Sequence, residues 1–260
     1  METFGYIGAV CIGLILGLTG GGGSILTVPI LVYVMLLNPI TATAYSLFIV
    51  GTTSVFGALQ NYRKDLVDFR NGFLFAVPSF TAIYLTRRFI VPVIPDVIFE
   101  QPFLLLKSTF LMVFFAIIMV FASLSMLKKK KMNLGEPKET SIPFLIIQTF
   151  IIGLIIGLVG AGGGFLIIPS LVLFANLPMK KAIGTSLFIM AMNSLIGFMG
   201  DVQNLEIDWV FLLSFTSLSV VGIFIGIYLN KFVNEAQLKK GFAYFVLVMA
   251  LFILYKEFIA

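Results

Sequence analysis

Histidine is absent from this chain of 260 residues, and cysteine occurs once, at Cys11. Without histidine, a Ser–His protease site and a His-ligated metal site are both excluded. A single cysteine cannot form an intramolecular disulfide. Because the apolar segments also carry no cluster of carboxylates, we expect no enzyme activity and no bound metal or cofactor.

Charged residues are scarce as well: they make up 11% of the chain, whereas 60% of it is hydrophobic. No soluble domain of this size is so poor in charge, so the composition indicates an all-α polytopic membrane protein in contact with the lipid bilayer. The net charge of +5 fits lysines and arginines in the loops between membrane spans. A nucleic-acid partner is therefore not expected.

One glycine-rich stretch occurs twice, 140 residues apart. Residues 17–29 read GLTGGGGSILTVP, and residues 157–169 read GLVGAGGGFLIIP. Aligned without a gap, residues 13–61 and 153–201 are identical at 20 of 49 positions. Chance would give only a few identities, so the sequence indicates an internal duplication.

The duplication predicts two homologous transmembrane repeats, residues 1–127 and 142–260. Between them, residues 128–141 form the longest strongly polar stretch of the chain and begin with Lys128–Lys131. We interpret this stretch as a basic cytoplasmic linker held near anionic lipid.

Each glycine run interrupts an apolar segment, at 3–37 in the first repeat and at 143–177 in the second. Glycine costs a helix about 1 kcal/mol relative to alanine, so a run such as Gly20–Gly23 predicts a break. A broken backbone is tolerated at membrane depth only where protein or a water-filled cavity satisfies its polar groups. We therefore expect two short helices meeting at each glycine turn, the second beginning near Ser24 or Gly164.

The start of each second helix is a candidate anion site, because a helix N-terminus presents free N–H groups and about half a positive charge. Broken helices in paired repeats are the best sequence indicator of a transporter's binding site. The alternative is that the glycines only allow neighbouring helices to pack closely.

Three uninterrupted spans should follow each broken pair. We expect them at about 42–60, 69–86, 104–127, 182–200, 209–229 and 240–258. The second of these should end at Arg87 and Arg88, and the prolines that follow predict an irregular loop.

The basic residues favour opposite orientations for the two repeats. A broken pair that returns to its starting side, by dipping in or by crossing twice, inverts the second repeat, whereas a single crossing leaves the repeats parallel. With the linker in the cytoplasm, inversion places 13 of the 17 basic residues inside, and the parallel arrangement places 9. The positive-inside rule therefore predicts inverted repeats with both termini outside.

The first uninterrupted span after each broken pair carries a polar face. Its polar side chains stand at matching positions in the two repeats, at a spacing that keeps them on one side of a helix. Hydroxyls and a carboxamide can replace part of an anion's hydration shell, although hydroxyls also often bond back to their own helix. The candidate substrate-binding residues are Gly20, Gly21, Gly22, Gly23, Ser24, Ser46, Thr53, Gly160, Gly162, Gly163, Gly164, Ser186 and Asn193.

These motifs together resemble the sulfite exporter TauE/SafE family. The resemblance lies in the two glycine runs, each followed by a proline at Pro29 or Pro169, and in the sequence AxxxSLF at 42–48 and 182–188. It covers essentially the whole chain. It implies a multi-pass carrier of the inner or plasma membrane that moves sulfite, organosulfonates or related small anions, usually outward.

Other functions are compatible with the residues themselves. One is a channel or carrier for another small anion, such as a carboxylate, or for a neutral metabolite. Asp201 is the acidic residue nearest to a polar face and is the one candidate for proton coupling, although we favour its interpretation as an ordinary loop carboxylate.

Overall fold

The computed structural model describes residues 2–99, 105–127, 142–160, 162–175, 177–202 and 205–259. Within these residues the chain is almost entirely helical, which confirms the prediction of an all-α protein. The predicted linker at 128–141, with Lys128–Lys131, lies outside the described residues.

The described elements are helices and one small antiparallel ribbon of two strands. In chain order they are α1 (Glu2–Thr19), α2 (Gly23–Pro29), α3 (Pro39–Tyr62), α4 (Phe69–Leu85), α5 (Val91–Val93), β1 (Val97–Phe99), β2 (Leu105–Leu106), α6 (Lys107–Leu127), α7 (Ile142–Val159), α8 (Gly164–Phe174), α9 (Met179–Asp201), α10 (Trp209–Leu229) and α11 (Glu235–Ile259). Two π-helical turns, Ile30–Val34 and Thr86–Ile90, continue α2 and α4.

Five helical segments of the described chain are long and apolar enough to cross a membrane, as expected for a multi-pass membrane protein. They are Pro39–Tyr62, Phe69–Val93, Lys107–Ser125, Met179–Asp201 and Trp209–Leu229. Each corresponds to one of the predicted spans, and α11 covers the sixth. The shorter apolar helices, Gly5–Thr19, Gly23–Val34 and Pro143–Val159, belong to the two broken pairs.

Arg87 and Arg88 lie within a helical segment, not at its end as the sequence predicted. The π-helical turn carries the helix through both arginines, and α5, which contains Pro92, continues it to Val93. The following segment is also more regular than expected, since Val97 pairs with Leu106 in the β1–β2 ribbon. Paired charges suggested a membrane boundary, but Arg87 has its partner inside the protein.

Both broken pairs are formed as predicted, with a short glycine turn between α1 and α2 and another between α7 and α8. In the first pair the chain folds back on itself, because Gly8 packs against Ile30 and Gly5 against Met35. The two ends of this hairpin therefore lie on the same side of the molecule.

Each broken pair packs against a helix from the other half of the chain. Gly13 of α1 packs against the backbone of Ser219 in α10, and Gly153 of α7 packs against the backbone of Ser79 in α4. These two contacts are related by the offset of 140 residues that relates the two glycine stretches. Both depend on a glycine, because the facing backbone leaves no room for a side chain.

Helices α3 and α9 cross at the centre of the protein and run antiparallel. Gly57 near the end of α3 packs against Leu187 near the start of α9, and Gly197 near the end of α9 packs against Leu47 near the start of α3. Most of both helices is buried. They are therefore the helices on which side chains of the two halves can meet away from lipid.

Two aspartates cap the helices that follow α3 and α9. Asp68 accepts the backbone N–H of Asn71, and Asp208 accepts that of Phe211, which satisfies a free donor at the start of α4 and of α10. Partial burial acts to raise the pKa of Asp68, but its hydrogen bonds to Asn71 and the nearby Lys181 outweigh burial, so its pKa lies below the ordinary value. The stabilisation from this cap is therefore complete above the ordinary aspartate pKa and is lost as the pH falls through the lowered one.

Replacing Gly222 by alanine should destabilise the protein. Gly222 in α10 packs on the backbone of α1 at Val10, and overpacking of this kind costs about 1–3 kcal/mol. Gly241→Ala is the matched control, because nothing lies within 4 Å of a Cβ added there in α11. That change should stabilise the helix by roughly 0.5–1 kcal/mol. Thermal unfolding of both variants in one detergent tests this, and equal melting temperatures would contradict the packing of α1 on α10.

Candidate functional site

The two glycine turns meet inside the protein. Gly21 and Gly164 are in backbone contact, so closely that neither position has room for a Cβ. On either side of this contact, Gly20 lies against Ile183 near the start of α9, and Gly160 lies against Thr43 near the start of α3. The buried glycines of the junction are Gly20, Gly21, Gly22, Gly23, Gly160, Gly162, Gly163 and Gly164, all of which the sequence predicted.

Glycine is required at the ends of α1 and α7 by backbone conformation. Gly20 and Gly160 have φ values of 74° and 71°, and their N–H groups bond to the carbonyls of Leu16 and Ile156. This left-handed ending satisfies a free carbonyl of each helix without a side chain. The turns are therefore well-defined structures that expose the start of the next helix.

The two turns differ in how they use their own polar groups. In the first, the Gly22 N–H donates to the Thr19 hydroxyl at 2.8 Å, and the Ser24 hydroxyl donates to the carbonyl of Gly21. In the second, Val159 and Gly164 stand at the equivalent positions and offer no hydroxyl. The start of α8 thus lacks the internal partners that the first turn supplies for itself.

Four buried polar side chains on α3 and α9 each keep an atom with no hydrogen-bond partner among the described residues. They are the hydroxyls of Ser46, Ser54 and Ser194 and the Nδ2 of Asn193, and all four residues have 0% exposure. A Cβ added to Gly162 in the second turn would lie 3.0 Å from the Ser194 hydroxyl. Unpaired buried donors are costly, and the Ser194 hydroxyl lies beside the second turn, so these four side chains are candidates for binding a polar ligand.

Other predicted binding residues are already engaged within the protein. The Thr53 hydroxyl donates to the Ser219 hydroxyl at 3.1 Å, and the Ser186 hydroxyl donates to the carbonyl of Gly20 at 2.7 Å. Ser186 therefore fixes the first turn onto α9. Asn193 is engaged through one atom only, since its Oδ1 accepts from Ser79 at 2.9 Å and its Nδ2 has no partner.

The hydrogen bonds at the centre recur with the same offset as the sequence stretches. Thr53 pairs with Ser219, and Asn193 pairs with Ser79, each residue of one pair being 140 positions from a residue of the other. The backbone N–H of Asp68 bonds to the Thr185 hydroxyl, and that of Asp208 bonds to the Tyr45 hydroxyl, again at this offset. These four contacts between the halves thus form two pairs related by the same offset.

A buried ion pair beside the second turn was not predicted. Arg87 Nη1 lies 3.1 Å from Asp201 Oδ2 and also donates to the Thr43 hydroxyl at 3.1 Å. The two side chains are 1% and 8% exposed, so Asp201 is not the ordinary loop carboxylate that we favoured. The Arg87 Nη2 atom lies against Gly160, which brings a cation to the glycine turn.

The sequence held a usable signal for these additional residues. Ser54 and Ser194 are identical at aligned positions of the duplication, next to the stripe that was singled out. Gly72, Ser79 and Thr86 recur every seven residues, a spacing that marks the inward face of α4. Arg87 is the next residue after Thr86.

Broken helices whose turns meet beside buried, unpaired donors are typical of membrane transporters with discontinuous helices. The chain belongs to the sulfite exporter TauE/SafE family, whose model matches residues 6–253. This confirms the resemblance drawn from the glycine motifs.

Several relatives are described as probable membrane transporter proteins. One from Xylella fastidiosa (strain 9a5c) is 24% identical over 253 residues, which covers 95% of this chain and 92% of the relative. YunE of Bacillus subtilis is 24% identical over 259 residues, covering 87% and 89%. One from Methanocaldococcus jannaschii is 35% identical over 117 residues, covering 43% and 44%. No solved structure matches the chain significantly.

Replacing the aligned serines Ser46 and Ser186 by alanine should have opposite effects on stability without ligand. Ser186→Ala removes hydrogen bonds to the carbonyls of Gly20 and Ile183 and should cost about 1 kcal/mol. Ser46→Ala removes a buried hydroxyl that has no partner, so it should be neutral or stabilising. Thermal unfolding of the purified variants measures both, and an equal loss of stability would show that the Ser46 hydroxyl is already bonded.

Proposed function

We propose that this transporter carries a small sulfur-containing anion, sulfite or an organosulfonate, bound where the two glycine turns meet. The observation that carries the proposal is the set of unpaired, fully buried donors on Ser46, Asn193 and Ser194. A sulfonate or a sulfite dianion presents several acceptor oxygens and no donor of its own. Such an anion can therefore accept hydrogen bonds from the unpaired donors of both halves, Ser46 on α3 and Asn193 and Ser194 on α9.

The cost of burying an anion explains the composition of this site. A bare anion in an apolar interior is penalised heavily unless it is paired or strongly hydrogen-bonded. The N-terminus of α8 favours an anion by about 0.3–2 kcal/mol, and each hydrogen bond to a charged group contributes about 1.5–3 kcal/mol. Together these donors give moderate affinity, which suits a carrier because it must also release its cargo.

The choice of sulfur chemistry draws on the family. Its description names sulfite export, and the glycine runs that identify this chain as a member are the same residues that form the junction. Export across the cell membrane is accordingly part of the proposal. The relatives' printed names add no substrate, so the choice of anion depends on direct measurement.

We expect the purified protein to bind methanesulfonate at least tenfold more tightly than dimethyl sulfone, a neutral molecule of similar size, since only the anion gains from charge-assisted hydrogen bonds. The double change Ser46→Ala with Ser194→Ala should weaken methanesulfonate binding by about tenfold or more. Isothermal titration calorimetry in detergent measures both, with sulfite and acetate as further ligands.

Ser123→Ala is the control for that measurement, because this buried serine in α6 already donates to the carbonyl of Val120 and has no unused donor. Equal affinity for the sulfone and the sulfonate would defeat the anion assignment. A clear preference for acetate would favour the carboxylate carrier instead.

We further propose that residues 1–127 and 142–260 are inverted repeats with both termini outside. Three observations support this. The equivalent helices α3 and α9 run antiparallel, the first hairpin returns to its starting side, and inversion places 13 of the 17 basic residues in the cytoplasm. The linker at 128–141 would then lie in the cytoplasm of the cell that carries the protein in its plasma or inner membrane.

Cysteine labelling tests this topology. Cys11 is exposed, so it is first replaced by serine. Lys129→Cys and Lys181→Cys should then both react with an impermeant reagent only from the cytoplasmic side. Asp96→Cys, in the loop after α5, should react only from outside and serves as the control. Labelling of Lys129→Cys and Lys181→Cys from opposite sides would exclude inverted repeats.

A further inference from the structure

Charge is distributed unequally between the two glycine turns. Three polar side chains, Arg87, Thr43 and Asp201, form a connected cluster beside Gly160 of the second turn. The aligned positions in the other half are occupied by Ile227, Ile183 and Asn61. Asn61 there donates to the carbonyl of Gly57 within its own helix. Both turns begin with a left-handed glycine, Gly20 or Gly160, whereas among the described residues the cation Arg87 lies beside the second turn and its counterpart at the first is Ile227.

Arg87 has capacity to bind more than its present partners. One atom, Nη1, donates to both Thr43 and Asp201, while Nε and Nη2 have no partner among the described residues, although the side chain is only 1% exposed. A guanidinium offers its N–H groups as a planar fork that matches two oxygens of an oxyanion. Two unused donor atoms on a buried cation therefore point to an anionic ligand.

Unpaired donors continue from Arg87 toward the contact between the turns. Ser46 follows Thr43 within one turn of α3, and Asn193 and Ser194 precede Asp201 by about two turns of α9. Because α3 and α9 are antiparallel, both sets lead away from Arg87 in the same direction. They form one polar route along the two helices, with the cation at its end.

We propose that Arg87 is a docking residue for the transported anion, and that a sulfite or sulfonate group takes the place of Asp201 on its guanidinium. This inference rests on the function proposed above and adds to it the one positive side chain of the route. Asp201 holds the guanidinium in place while the site is empty, and Thr43 orients it. The anion then moves between Arg87 and the neutral donors at the turns.

Charge balance explains why the anion should replace the Asp201 carboxylate on Arg87 and not add to the intact pair. The pair of Arg87 and Asp201 is neutral overall, so an anion that joined the intact pair would leave a net negative charge in an apolar interior. Displacement of the carboxylate keeps the buried site neutral. Asp201 is the last residue of α9 and precedes the exposed Val202, so the displaced carboxylate lies close to the protein surface.

The test measures methanesulfonate binding to the purified full-length protein by calorimetry. Asp201→Asn removes the competing carboxylate and should tighten binding by about tenfold, since charge competition of this kind is strong. The double change Arg87→Gln with Asp201→Asn removes the cation as well and should bind at least tenfold more weakly than wild type. Arg88→Gln, one residue along on the same helical segment, should leave binding unchanged and is the control.

A purely structural ion pair predicts a different pattern, because Asp201→Asn would then lower stability without any gain in affinity. Absence of that gain, or wild-type affinity in the double variant, overturns the proposal. The Asp201→Asn result decides the question even where the double variant does not fold. Wild-type protein that binds no sulfonate or sulfite would instead defeat the proposed function, whereas binding that ignores Arg87 would defeat only this inference.

Discussion

Backbone polar groups that cannot be left unpaired in an apolar interior are the constraint on which this structure depends. Two helices break inside the protein, and the chain brings both breaks together at the contact between Gly21 and Gly164. Only glycine fits there, and only if the two hairpins overlap. For the two turns to meet, each broken pair lies among helices of the other half. Accordingly, α1 packs against α10, and α7 packs against α4.

Under the proposed function, the polarity of the centre is a compromise between holding an anion and releasing it. Hydroxyls and one carboxamide provide donors without a fixed charge, so no single contact there is very strong. The cation is placed at the edge of this region, where Asp201 neutralises it. A cation in the middle of the route would bind an oxyanion more tightly but would also slow its departure.

The sequence predicted the helix breaks and the positions of most spans, because glycine runs and long apolar stretches act locally on the backbone. It also placed Ser46 and Asn193 on a regular stripe, and both are buried with an unpaired atom. It could not show that Thr53 and Ser186 are already bonded, since their partners Ser219 and Gly20 come from the other half of the chain. Arg87 was misjudged for the same reason. A charge near the end of an apolar run suggests a membrane boundary unless its buried partner, 114 residues away, is known.

The glycine face of α1 packs on α10. Helix α1 is among the first helices to be synthesised and α10 among the last, so this face stays uncovered until synthesis is nearly complete. Until then Gly13 and Gly17 face lipid or a temporary neighbour, so the first half sits in the bilayer incompletely packed. A half made alone would find its missing helix only in another copy, as in a domain-swapped dimer.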